Sequence, residues 1–116
     1  MTGKDLLLLR RRVGCTQHEL AAFAGLLQQN VFQCESGRRT ITPKLELRLT
    51  AGLAAIEAEL RAVPKITHAA ALNLTEEMLR MREDGRAAAR RAAVINVLLR
   101  RFIGGRNERE KQTEEG

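Results

Sequence analysis

The stretch TQHELAAFAGLLQQNVFQCESGRR, residues 16–39, places two short apolar-patterned segments on either side of a glycine. Thr16 and Glu19 stand three apart ahead of Leu20. That is the spacing of a capping box, in which hydroxyl and carboxylate each take a free N–H at a helix start. Leu20, Phe23 and Ala24 then share one side of the helix, and Gly25 stops it. The next segment, Gln28 to Ser36, is predicted helical too. Val31 and Cys34 face inward, while Gln28, Gln29, Phe32 and Gln33 fall on the opposite side, and Gly37 ends the helix. A row of amides gains little from packing, so this face asks for a partner that donors and acceptors can read.

Working outward, residues 4–12 are predicted as a helix with Leu6 and Leu9 on one face, closed by Gly14. Arg10 to Arg12 suit the negative end of its dipole. Thr42-Pro43 opens a fourth helix, cap then first helical residue. Leu45, Leu49, Leu53, Ile56 and Leu60 carry it to about Ala62. Val63-Pro64-Lys65 is expected to break the chain and to bound a first domain, residues 1–62. Beyond it, Thr67 caps a helix reaching Glu83, interrupted near Asn73–Thr75, with Ala71, Leu74, Met78 and Met81 on one face. Asp84-Gly85 reads as a turn. Residues 86–103 form a last helix with Ala88, Ala92, Ile95, Leu99 and Phe102 in one stripe, ended by Gly104-Gly105. Residues 63–105 thus make a second helical region, and residues 106–116, which lack any apolar residue, are expected to be a disordered charged tail. The fold class is all-α.

Composition narrows the function classes. The chain has 116 residues and a net charge of +6, with pI about 10.3, which favours a polyanionic partner. Residues 1–62 carry nine Lys/Arg and six Asp/Glu, and residues 63–105 carry eight and four, whereas the tail carries three and four. The basic surplus therefore belongs to the helical regions. Trp and Tyr are absent and only Phe23, Phe32 and Phe102 are aromatic, which argues against stacking single-stranded bases. Cys15 and Cys34 form no CxxC, and His18 and His68 stand alone, so neither metal nor cofactor is expected. No Gly-rich phosphate loop, paired catalytic carboxylates or activated nucleophile suggests an enzyme. The short run Leu6 to Leu9 precedes rather than follows its basic cluster, so no signal peptide is expected, and no apolar run approaches a membrane span. A reducing, cytoplasmic setting follows as the default.

The residues Arg10, Gly14, Thr16-Gln17, Leu20-Ala21, Gly25, Val31, Glu35, Gly37 and the arginines after it, in continuous register, resemble the helix-turn-helix domain of phage-repressor-like (Cro/C1, XRE) transcription regulators. The resemblance spans about residues 4–60. It implies a lambda-repressor-like helix-turn-helix domain, and the apolar surface of residues 66–103 is read as a C-terminal helical dimerisation element that follows it. The resemblance implies further that Gln28, Gln29, Asn30, Phe32 and Gln33 face the major groove of double-stranded DNA, where amides pair with adenine and an apolar group meets the thymine methyl. Thr16, Gln17, Arg38, Arg39, Thr40 and Lys44 would contact phosphates, and Arg10 with Glu35 would form a structural ion pair. Leu27 departs from the pattern, standing where a small polar cap is usual. Phe32 departs too, and its other reading is packing within this protein. Arg86, Arg90, Arg91, Arg100 and Arg101 are read as a solvated face, with extended DNA contact as the alternative.

Family members pair on two half-sites. A homodimer is therefore expected through Met78, Met81, Ile95, Leu99 and Phe102, the alternative being that these helices pack back onto the first domain. The function implied is a repressor of a bacterium or mobile element, binding a palindromic operator. The competing reading is an antitoxin or inhibitor whose C-terminal helices hold a second protein and whose helix-turn-helix serves autoregulation.

Overall fold

The computed structural model describes residues 1–63, 65–81 and 85–115, with side chains described up to Gly104. Among these residues the chain is all-helical. The elements are α1 (Gly3–Val13), α2 (Gln17–Ala24), α3 (Gln28–Glu35), α4 (Pro43–Arg61), α5 (His68–Arg80) and α6 (Arg86–Glu115). Pro64, the expected helix end Glu83 and the turn residue Asp84 lie outside the described residues, as do the side chains of the tail expected to be disordered.

Threonine caps set most helix starts. Thr16 accepts from Glu19 N while the Glu19 carboxylate accepts from Thr16 N, the box that the spacing predicts. Thr2 and Asp5 build a second box ahead of α1, and Thr42 and Thr67 cap α4 and α5. α3 starts without such a cap: its N-cap is Leu27, with no side-chain bond. Gly14 and Gly25 end α1 and α2 in the left-handed conformation. α2 has no basic residue in its own last turn. Arg48 Nη2 instead donates to Gly25 O at 2.8 Å, and the Arg86 guanidinium approaches the same glycine, so two distant cations serve the negative pole of α2.

One hydrophobic core joins Leu6, Leu20, Val31, Leu49, Leu53, Ile56 and Leu60 with Val94, Val97 and Leu98 of α6. The apolar spacing of α4 holds throughout: Leu45, Leu49, Leu53, Ile56 and Leu60 are all buried. Close approach replaces side chains at two crossings. A Cβ at Gly3 would lie 2.2 Å from Cys34 O, and one at Gly52 would lie 3.2 Å from Ala24 N. α1 therefore meets the end of α3, and α4 meets α2, at backbone distance.

The second half departs from its predicted form. α5 runs unbroken through Asn73–Thr75, and α6 continues through Gly104 and Gly105 to Glu115. The two halves also share a core, because α6 is buried on two sides. Val94, Val97 and Leu98 enter the common core, while α5 packs on α6 and Phe102 lies against His68 with ring centroids 6.3 Å apart. Ile95, expected at a dimer interface, is fully buried within the protomer and so closed to a partner. Met78, Met81, Leu99 and Phe102 are half-buried. No helix among the described residues is long and apolar enough to cross a membrane.

Candidate nucleic-acid interface

The candidate face is the outer side of α3. At 100° per residue, Val31 and Cys34 point into the core, and both are buried. Gln29 lies roughly opposite them, with Gln28 and Phe32 on one flank and Gln33 on the other. Gln28, Gln29 and Phe32 are exposed, and Gln33 is half-buried. Asn30 falls at the edge of the buried side, half-buried, apart from the other four. Phe32 keeps 46% exposure and has the Arg38 guanidinium over its ring, 5.9 Å from the centroid. Its apolar surface is thus shared between solvent and a neighbouring cation.

A fixed frame underlies this face. Arg10 Nε donates to Glu35 Oε2 at 2.7 Å and Nη2 donates to Oε1 at 2.9 Å, a two-pronged pair with side-chain exposures of only 14% and 6%. Arg10 Nη1 also donates to Cys15 O at 3.0 Å. The guanidinium thereby locks α1, the α1–α2 turn and the end of α3 together. The Glu35 carboxylate favours the charged form of Arg10, whose pKa is raised above its ordinary value.

The residues expected at phosphates are placed differently from one another. Gln17 Nε2 donates to Glu35 Oε1 at 3.2 Å, so its amide closes the gap between α2 and α3 instead of standing free. Thr16 is exposed, but its oxygen already accepts from Glu19 N. Arg38, Arg39, Thr40 and Lys44 are all exposed. Their segment is anchored at its start, where Arg38 N and Arg39 N both donate to Gln33 O, at 2.9 and 3.1 Å.

Sequence reasoning missed a second frame contact, between α6 and the α1–α2 turn. Arg100 Nη1 donates to Glu19 Oε2 at 2.8 Å, Nη2 meets Glu19 Oε1, and Nη2 also donates to Gly14 O at 3.1 Å. Arg101 Nη2 donates to Val13 O at 3.0 Å. Glu19, only 4% exposed, is thus both capping residue and ion-pair partner. These two arginines, read as solvated, hold α6 to the start of α2. The partners stand 81 residues apart, so no local spacing signals the pairing. The Thr2–Asp5 box was missed as well, although its threonine-to-aspartate spacing is a usable signal.

Cys15 and Cys34 are buried free thiols. Burial pushes the Cys15 thiol up to about 11, with the Glu19 charge adding to it, and burial raises Cys34 as well. Both are neutral core atoms at ordinary pH. Among the described residues no group of His, Cys, Asp and Glu gathers as for a metal ion. Set against models of protein families, against curated proteins and against solved structures, the chain matches none.

Proposed function

We propose that the protein is a sequence-specific double-stranded DNA-binding transcriptional regulator, a repressor that acts in the cytoplasm as a homodimer on a palindromic operator. The observation that carries this is the outer face of α3. Gln28, Gln29 and Gln33 flank an exposed Phe32 above a helix pinned by the Arg10–Glu35 pair. In this reading α2 and α3 are the helix-turn-helix. α3 enters the major groove, amides read adenine edges and Phe32 meets a thymine methyl. Arg38, Arg39, Thr40 and Lys44 grip the phosphates that flank the groove.

Pairing between copies falls to the outer face of α5. Leu72 and Leu79 stand there 54% and 80% exposed, two turns apart on one side of the helix. The same two leucines favour the second reading, a heterologous protein partner on the C-terminal helices. Light scattering separates the two: the homodimer requires a doubled mass that Leu79→Glu returns to a monomer.

Selection of bound sites from random duplex DNA tests the main reading. The expected outcome is an enriched palindrome whose half-sites lie one helical turn apart. Gln28→Ala and Gln29→Ala should each change the preferred base at one or two positions, at a cost of about 1–3 kcal/mol. Arg39→Ala should weaken all sequences alike and flatten the salt dependence by about one contact's worth, roughly 0.9 in log–log slope. Enrichment of no sequence at all would refute the proposal.

A further inference from the structure

A groove of about 540 Å³ opens between α4 and α6, with α2 beneath it. Its size lies within the range of about 300–1,000 Å³ typical of small-molecule sites. The opening has a cause in the sequence. Gly52 brings α4 against the α2 backbone, and Ala51 and Ala55 beside it leave the space toward α6 unfilled. Phe23 and Val94 supply apolar walls.

The charged groups that line it are Arg90, Arg91 and Glu59. Arg91 is already committed, donating to both oxygens of Glu77 at 2.8 Å. Arg90 has only the Phe23 ring beneath it, 5.7 Å from guanidinium carbon to centroid, and among the described residues it meets no carboxylate. A guanidinium held over an aromatic ring at the rim of an apolar recess presents its fork to a planar anion, while the recess takes the body attached to that anion.

We propose that this groove binds a small organic carboxylate with an apolar body. The carboxylate pairs with Arg90 and the body lies between Phe23 and Val94 against the small residues of α4. The walls belong to α2, α4 and α6, so an occupied groove ties α6 more firmly to α2. The proposal concerns the free protein and stands apart from the DNA-binding reading.

The test is thermal unfolding of the full chain without DNA, titrated with phenylacetate, hexanoate, phenylacetamide and phenethylamine. The two carboxylates should raise the Tm saturably, and the neutral amide and the amine should not. Arg90→Gln should weaken carboxylate binding at least tenfold, and Ala55→Trp, at an exposed position that fills the recess, should abolish it. If Ala55→Trp does not fold, Arg90→Gln decides. Three results each overturn the proposal: no saturable rise with either carboxylate, an amide that binds as well as its acid, or an Arg90→Gln variant that binds like the wild type.

Discussion

At the scale of single residues, the Arg10–Glu35 pair is the position with most at stake. Both groups are largely removed from water, and each satisfies the other in two bonds while Gln17 and the Cys15 carbonyl take what remains. Replacing both by apolar residues of similar size removes charge and desolvation together. Removing one strands the other. Arg10→Met should therefore cost about 3–5 kcal/mol in denaturant unfolding, and Arg10→Met with Glu35→Leu distinctly less. A double variant as damaged as the single one would mean that the cost lies in lost packing, not in the stranded carboxylate. The pair is expected from the resemblance alone, since no local spacing joins residues 25 apart. Arg100 with Glu19 is not: α6 has many arginines, and nothing in their spacing distinguishes the one that reaches a buried carboxylate from those in solvent.

At the scale of elements, Thr16 and the Thr42-Pro43 pair make the starts of α2 and α4 readable, and Gly14, Gly25 and Gly37 make the ends of α1, α2 and α3 readable. Threonine ahead of an apolar period, with glycine or proline as punctuation, fixes boundaries locally. The register of α6 resists because its apolar residues are contiguous: Val94-Ile95 and Val97-Leu98-Leu99 populate two faces, and periodicity alone does not say which face meets the main core. The stripe read from the sequence is the one turned from that core. Gly3 shows the reverse limit, since nothing local marks it. Its missing Cβ is required by the Cys34 carbonyl, 31 residues away in sequence. Gly3→Ala, usually favourable in a helix, should destabilise here by about 1–3 kcal/mol through overpacking, measured by denaturant midpoint. An unchanged or raised midpoint would show that α1 shifts freely on α3.

The α5–α6 contact makes a pH prediction. The two bonds from Arg91 hold the Glu77 carboxyl below its ordinary value of 4.5. A carboxylate depressed in the folded state adds stability that is present above the unfolded value and lost as pH falls through the folded one. The pair is about 40% exposed on both sides, so solvent screens its contribution. NMR titration of the Glu77 carboxyl should find a midpoint under 4.5 that returns to the ordinary range in Arg91→Gln. A Glu77 midpoint unmoved by that substitution would break the proposed link between α5 and α6.

At the scale of the whole molecule, the question is whether residues 1–62 stand alone, as their resemblance suggests, or need α6. Val94, Val97 and Leu98 are each at most 2% exposed and lie in the same cluster as Leu20, Leu49 and Leu53. Burial of one such side chain contributes about 1.5–3 kcal/mol. Losing three therefore removes much of the roughly 5–15 kcal/mol by which a domain is stable. Deleting α6 also removes the Arg100 bonds to the Glu19 carboxylate, which keeps only the Thr16 N–H. The fragment 1–62 should accordingly unfold without a sharp thermal transition, and Leu98→Ala in the full chain should lose about 2–5 kcal/mol. If instead the fragment melts cooperatively within a few degrees of the full chain, then α6 is an appendage and the shared core contributes little. The same comparison bears on function. α6 touches the α1–α2 turn through Arg100 and Arg101, next to the cap from which α2 starts. A fragment that folds poorly but regains duplex binding when residues 63–116 are added in trans would place α6 among the parts that hold α2 and α3 in register.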